Sequence, residues 1–573
     1  MQTLPDLLGA LVLEAIEAVA PGLALDGPAV QATADASLGD YQSNLAFRLT
    51  KALRRPPVVC AQAVVDALPA HPALRSVEVL KGFINLRLDD AWLAEQLLLR
   101  VRSDDLALPR DGAGKRVVID YGSPNVAKRM HVGHLRSTNI GDALARMMRA
   151  LGFEVVGDNH IGDWGTQFGK LMVAWERWRD EGAFAADAIG ELQRLYVLFG
   201  TEAEKDPALE DDARAATAAL QAGDPDRIAL WHRFVEASLV EFDGVYSRMG
   251  VRFDVTLGES FYQPMLAPLV EDLQARGLAE EDDGALVVRF DSSDGKGLGD
   301  SPMLVRKRDG AALYATTDLA ALRYRQERWT PDAVVYVTDV RQQLHFRQVF
   351  AAAKKAGLCE ATLEHVWFGM LTLPEGVMAN RKGNVIRLEA LLDEAANRAR
   401  TVVDEKSPDI PEEERAAIAE AVGVSAVRYA DLSQNPQSNV VFDWDRMLAL
   451  EGNTAPFLMY SYARCRSIQR KAGIEDPAVE RLTVAEPAER DLALALLRYP
   501  EALRTALAAR RPNMLCDYLF GLAGAFNRFY YQVPVLRAEE PALVAARLGL
   551  VEATARVLGA GMGLVGVRTL DRM

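Results

Sequence analysis

Two histidines, His131 and His134, flank Val132 and Gly133 directly behind the apolar run Val117-Val-Ile119 and the turn-forming Ser123-Pro-Asn125. A strand, a turn and then a helix is the order that this pattern predicts, with the histidine pair on the first helical turn. The unpaired N–H groups of a helix start and their positive dipole attract phosphate, and Gly133 leaves room where a nucleotide has to come close. Imidazoles three residues apart share one face, so both can donate hydrogen bonds to phosphate oxygens as charge builds during adenylyl transfer. A metal pair or two capping histidines is the competing reading of a bare His-x-Gly-His. No carboxylate stands at a ligating offset on this turn, and the strand ahead of it favours the nucleotide.

These residues need a sheet to hold them. The Arg116 strand is followed by a helix with apolar positions Leu135, Ile140, Leu144, Met147, Met148 and Leu151, closed by Gly152 and then by the strand Phe153-Glu-Val-Val156. That is one β-α-β unit of a parallel nucleotide-binding sheet. A helical, charged stretch at about 171–255, broken at Gly223-Asp-Pro225, reads as an insertion between two halves of that sheet. The second half begins with two strand signals about the hairpin turn Asp309-Gly310 and continues through Ala333-Val-Val-Tyr-Val337, a helix ending at Gly357, the strand His365-Val-Trp-Phe368 and a loop at 374–384. Ahead of it, residues 1–105 form a separate α+β unit with an amphipathic helix at Leu4–Val19, a helix near Asn44–Leu53 and strands at Ser76–Leu80 and Gly82–Leu88. The fold class is multidomain α/β: this N-terminal domain, a Rossmann-like catalytic domain at 110–385, a helical connector at 386–450 and an all-α domain at 451–573.

Composition sets the outer limits. The chain has 573 residues, half of them hydrophobic, and a net charge of -15, which argues against wholesale coating of nucleic acid and leaves the question of local basic clusters. The region from Glu451 onward is the relatively basic part. Four widely spaced cysteines, Cys60, Cys359, Cys465 and Cys516, form no zinc pattern and read as thiols in a reducing compartment. Acidic residues within the first apolar stretch and the lack of a long uncharged run point to a cytoplasmic protein without a membrane span.

Six blocks, in order along nearly the whole chain, carry a specific resemblance. They are Gly39-Asp-Tyr-Gln-Ser-Asn44, Ser123 to Thr138, Gly162-Asp-Trp-Gly-Thr-Gln-Phe-Gly169, Leu313 to Ala321, Tyr429-Ala-Asp-Leu-Ser-Gln-Asn435 and Glu451-Gly-Asn-Thr-Ala-Pro-Phe457. In these the chain resembles the arginyl-tRNA synthetases, class I enzymes. The resemblance implies that L-arginine and ATP, with Mg²⁺ bridging the phosphates, give arginyl-adenylate and pyrophosphate. Arginine then passes to the terminal adenosine of tRNA(Arg), with activation dependent on the tRNA. No covalent enzyme intermediate and no resident metal is implied.

Residue by residue, the resemblance places His131, His134 and Lys128 in catalysis. ATP would be held by Gly133, His131, His134, Lys128, Arg381 and Lys382. The second class I signature, a Lys-Met-Ser-Lys loop, is replaced here by Val377-Met-Ala-Asn380, so both lysines are missing, and Lys128 just before the first histidine is implied as the substitute. Arg129 stands where the family usually has proline. Tyr314 and Asp318, four residues apart and on one face if helical, would hold the arginine side chain with Gln342, because a carboxylate offers a guanidinium fork both charge and geometry. Asp120 and Asn125 would meet the α-amino end. For tRNA, Tyr462, Arg464, Tyr530 and Tyr531 among the C-terminal aromatics suit anticodon bases, which are read by stacking with arginine nearby. The N-terminal domain would meet the tRNA elbow, the connector its inner face, and the chain would act as a monomer.

Two rivals remain. A small-molecule adenylyltransferase shares the histidine helix but is usually shorter and lacks such a C-terminal domain. A non-catalytic tRNA-binding paralogue is made conceivable by the missing lysines, yet would be expected to have lost His131, His134 or Asp318.

Overall fold

A computed structural model of the chain describes residues 2–23, 25–308, 310–372, 386–474 and 479–573. Two compact units divide it: Gly112–Leu448, and Met1–Asp111 together with Ala449–Met573.

At the centre of the first unit lies a parallel sheet in the spatial order Thr362–Phe368, Ala333–Asp339, Arg116–Asp120, Glu154–Asp158. Val118, Ile119, Val334, Val335 and Val337 have no exposed surface, as the near-continuous apolar runs of a sheet covered on both faces require. The Arg116 strand pairs with Glu154–Asp158 on one side and with Ala333–Asp339 on the other. Chain direction through the sheet therefore reverses between those neighbours, and the carboxyl ends Asp120 and Asp339 flank the crevice where open α/β sheets bind ligands. The histidine helix, Val132–Ala150, follows the first strand and buries Leu135, Ile140, Leu144, Met147 and Met148.

The second half of the unit differs from its sequence pattern in one respect. Met303–Arg306 is a strand of a separate antiparallel sheet, with Glu280–Asp282 and Ala285–Val288. Across the turn the described residues form the bridge Arg306↔Ala312 and the bond from Lys307 N to Ala311 O at 2.9 Å, and the strand goes no further because Tyr314, read as strand, opens the helix Tyr314–Trp329. Thr316 explains this capture: its amide donates to Leu313 O at 2.9 Å and its hydroxyl to Val305 O at 2.5 Å. The expected loop at 374–384 lies outside the described residues. The insertion is helical, and its helices Ala208–Gln221 and Pro225–Met249 break at Gly223-Asp224.

The connector helix Glu412–Leu432 docks on the histidine helix through two buried ion pairs of opposite sense. Arg136 donates to Asp431 at 2.8 Å, and Arg428 donates to Asp142 at 2.5 Å. Asn139 reaches the other Asp431 oxygen at 3.2 Å, while Arg136 also donates to Gly369 O and Ser438 O at 2.6 and 2.9 Å. Crossed charges of this kind fix register, since sliding one helix would leave two buried charges unpaired.

In the second unit the helix Leu4–Val19 accompanies an antiparallel sheet ordered Gln31–Ala32, Tyr41–Ser43, Phe83–Leu88, Leu74–Leu80. Two further helices, Pro57–Asp66 and Asp90–Arg102, were not legible as such in the sequence. Five helices make up the C-terminal segment, from Ala455–Lys471 to Pro541–Leu564. The stretches 1–105 and 451–573, read from sequence as separate domains, pack together in this unit. Arg490 holds Asp40 at 2.7 and 2.9 Å and Asp90 at 2.6 Å, and Tyr41 donates to Glu501 at 2.7 Å, so the Gly39-Asp-Tyr block acts as a fastener.

Asp431→Ala leaves the Arg136 guanidinium buried without its carboxylate. Urea unfolding of this variant is expected to show a loss of about 3–5 kcal/mol in the catalytic unit; a loss below about 1 kcal/mol, the range of an exposed pair, would contradict the account of the helix register.

Candidate active site

His131 is the N-cap of its helix. Its Nδ1 accepts the Gly133 N–H at 3.0 Å, and its own N–H donates to His134 Nδ1 at 3.1 Å. The two rings lie against each other, tilted by 35°, with centroids 4.0 Å apart. With both Nδ1 atoms acting as acceptors, each neutral ring carries its proton on Nε2, which remains a donor. Burial, followed by the charge of Lys128, lowers the His131 pKa; burial and then His131 take His134 down to about 3. The pair therefore offers neutral donors rather than cations. A Cβ on Gly133 would stand 2.7 Å from the His131 ring, so glycine is required for this self-capping turn as well as for access.

Behind the turn, Arg325 is fully buried and donates to Asp120 at 2.6 Å and Asp158 at 2.7 Å, the carboxyl-end residues of adjacent strands. Asp120 also accepts from Ser123 Oγ at 3.1 Å. Its charge is thus already shared with Arg325. Asn125 bridges to Gly162, where a Cβ would fall 2.2 Å from the Asn125 Oδ1, and this close approach accounts for the first glycine of the Gly-Asp-Trp-Gly block. Asp163 of the same block accepts the Ser260 N–H and hydroxyl at 2.8 and 2.6 Å.

A cleft of about 510 Å³ joins these features to the start of the Tyr314 helix. Asp120, Asn125, Gly133 and His134 line one side, and Tyr314, Asp318 and Gln342 the other. Tyr314 is 71% exposed at the mouth. Asp318 is mostly buried, and one of its oxygens lies 2.6 Å from His345 Nε2. Glu259 was not singled out by sequence reasoning. Burial, then the charges of Asp163 and Asp318, push its carboxyl up to about 8. His160, stacked on Tyr262 at 5.3 Å, and His345 were also missed. No local pattern marks these three: they come from the insertion's far edge and from two separate turns, and only the fold collects them.

His131 caps the turn without lining the cleft. Lys128 is exposed, its ammonium 5.5 Å over the Tyr196 ring. Arg129 is turned away to Asp187 and Glu241. Arg381 and Lys382 lie outside the described residues.

In the second unit, Arg464 sits between three tyrosines, 4.7 Å from the Tyr460 ring, 4.9 Å from Tyr530 and 5.4 Å from Tyr531. Tyr460 and Tyr531 are exposed. Tyr462 is 8% exposed, and its hydroxyl accepts from Arg466 at 3.1 Å. Its ring packs in the helical core and is removed from the surface set, where Tyr460 takes its place.

Comparison with known proteins decides the family. A family model described as the catalytic domain of class I (R) tRNA synthetases matches residues 96–444. The chain belongs to the arginyl-tRNA synthetase family. Models of the arginyl tRNA synthetase N-terminal domain and the DALR anticodon binding domain match 6–88 and 458–573. The chain is 42% identical to an arginine–tRNA ligase of Fusobacterium nucleatum subsp. nucleatum, over 97% of each, and 44% identical to one from Chloroflexus aggregans, over 92% of each. Among solved structures it is similar to arginyl-tRNA synthetases of Plasmodium falciparum (TM-score 0.86, 26% identity) and Thermus thermophilus (TM-score 0.84, 28% identity), each over 100% of both chains. As a family member the chain is a class I aminoacyl-tRNA synthetase with ATP as a substrate.

The histidine turn makes a direct pH statement. In the synthetase, the His134 resonances should show no protonation between pH 5 and 9, because the folded pKa is depressed to about 3. Unfolded chain takes up that proton near pH 6.5, so His134's contribution to stability is present above that value and is lost progressively as pH falls toward 3. An imidazole titrating near 6.5 in the folded protein would refute the buried, neutral assignment.

Proposed function

We propose that this cleft binds arginine and ATP side by side, forms arginyl-adenylate and pyrophosphate, and then passes arginine to the terminal adenosine of tRNA(Arg). The supporting observation is that a phosphate-type helix start and the carboxylates Asp318 and Glu259 line one cleft, with Gly133, His134 and Tyr314. A charged fork and a nucleotide have opposite needs, and the two ends meet them separately.

His134, neutral and with its proton on Nε2, would steady the α-phosphate region by a hydrogen bond while charge builds on its oxygens, and His131 holds the turn that presents it. Gly133 keeps the turn open. Lys128 supplies a positive charge toward the outgoing pyrophosphate, with Arg381 and Lys382 as further basic groups of the ATP site. On the other side, Asp318 and Glu259 receive the guanidinium, with Tyr314 and Gln342 at the cleft wall. Asn125 meets the amino acid's backbone end, and Asp120, already neutralised by Arg325, positions the Ser123 turn. Catalysis here is mainly positioning: the α-carboxylate is set in line with the α-phosphate. Among the described residues no group of three His, Cys, Asp or Glu side chains could hold a metal ion. Mg²⁺ would enter with the nucleotide, bridging its phosphates.

For tRNA, the Arg464 cluster with Tyr460, Tyr530 and Tyr531 offers stacking faces to unpaired anticodon bases. In the N-terminal segment, Asn44, Phe47, Arg48 and Phe83 line a hollow of about 320 Å³ with Phe47 and Phe83 edge to face at 4.9 Å, suited to one base of the elbow. We read the protein as a cytoplasmic monomer whose activation step needs tRNA. Among the described residues no helix is long and apolar enough to cross a membrane.

ATP–pyrophosphate exchange tests this reading: arginine-dependent exchange is expected only when tRNA is added. Exchange with lysine but not arginine would overturn the specificity, and no exchange with any amino acid plus bulk tRNA would favour a non-catalytic tRNA-binding protein. A second expectation concerns Glu259, whose carboxyl sits at about 8 before arginine binds. A guanidinium stabilises the ionised form, so arginine binding at pH 7 should release about one proton, and affinity should rise with pH up to about 8. Calorimetry in two buffers of different ionisation heat measures this, and buffer-independent heats would count against the two-carboxylate site.

A further inference from the structure

His345 touches the cleft but has no part in the reading above. Its Nε2 lies 2.6 Å from Asp318 Oδ2, and the two side chains are 26% and 17% exposed. An ionised carboxylate only accepts, so the imidazole donates and Nε2 carries the proton.

The two residues come from different elements. Asp318 lies on the Tyr314–Trp329 helix, whereas His345 is on the first turn of Gln343–Lys355, just after the short turn Val340–Gln342 that Asp339 caps. Phe346 anchors that first turn: it is buried, 4.6 Å from the Tyr336 ring and 4.8 Å from His365. The imidazole is thus presented from a fixed platform. An aspartate's last torsion is broad and poorly defined on its own, so a donor on one oxygen sets the plane in which the other points.

That bond has a consequence for substrate geometry. With Oδ2 held by His345, the plane of the carboxylate is fixed, while Oδ1 and the second lone pair of Oδ2 remain acceptors for a guanidinium. We infer that His345 is a positioning residue that fixes the Asp318 carboxylate in the orientation in which its remaining lone pairs meet the arginine guanidinium. The inference rests on the reading of Asp318 as a guanidinium acceptor.

Exchange kinetics with tRNA present, measured on His345→Ala, His345→Gln and Asp318→Asn, separate the possibilities. His345→Ala is expected to raise KM for arginine by about tenfold or more while KM for ATP stays within about twofold, since only the amino-acid end loses its alignment. His345→Gln should restore arginine KM to within about threefold, because its amide nitrogen can replace Nε2 as the donor. An unchanged arginine KM in the alanine variant, a parallel rise in KM for ATP, or failure of glutamine to rescue would each overturn the role. Should the alanine variant fold poorly, His345→Asn serves instead: its shorter amide does not reach Asp318, so it should be impaired where glutamine is not, and equal behaviour of the two would overturn the role. Asp318→Asn tells the two levels apart. If it leaves arginine KM unchanged, the guanidinium reading itself fails; if it is impaired while His345→Ala behaves as wild type, only the positioning role fails.

Discussion

The guanidinium of Arg325 is the contact on which the rest of the site depends. It is fully buried, it belongs to the helix that begins with Tyr314 and carries Asp318, and it binds Asp120 and Asp158 at the ends of two neighbouring strands. One side chain therefore ties the arginine side of the cleft to the strand that leads into the histidine turn. Burying such a group is costly, and here two carboxylates, both on Nη2 at 2.6 and 2.7 Å, supply opposite charge while the Tyr336 ring lies 5.1 Å from the guanidinium; Nε and Nη1 are buried without a hydrogen-bond partner among the described residues. The same logic recurs one layer out, where Arg136–Asp431 and Arg428–Asp142 lock the connector helix to the histidine helix.

The cleft between these anchors is electrically lopsided. The end at the histidine helix holds imidazoles whose pKa values burial lowers, so on the proposed reading phosphate would meet neutral donors and the helix start rather than full positive charges. The other end holds Asp318 and Glu259, and the Glu259 carboxyl is raised first by burial and then by the charges of Asp163 and Asp318. Repulsion of that kind is relieved by a cation, which makes the site complementary to a guanidinium before any hydrogen bond is counted.

Much of this was legible in the sequence because it rests on local pattern. The apolar strand, the Ser-Pro-Asn turn and the helical spacing after His134 define a single β-α-β unit, and the Leu4–Val19 helix appears with the same bounds. Tyr314 and Asp318 were placed on one face only on condition that a helix formed, and it does, at the expense of the second hairpin strand. What was not legible depends on long-range packing. Glu259, His160 and His345 carry no signature and enter the cleft from distant turns. Tyr462 could not be told from its neighbours by spacing, since Tyr460 and Tyr462 differ in which way a helix turns them. The pairing of the N-terminal segment with the C-terminal helices rests on Arg490 and Asp40, hundreds of residues apart, and no periodicity announces it.

The central claim is that one end of the cleft recognises a guanidinium by charge. Calorimetric titration of the protein with L-arginine and with L-citrulline, in the presence of tRNA, tests it most directly, because citrulline keeps the shape and loses the charge. Arginine is predicted to bind at least about 100-fold more tightly, as expected when charged hydrogen bonds are lost to buried carboxylates. Equal affinities would contradict the account.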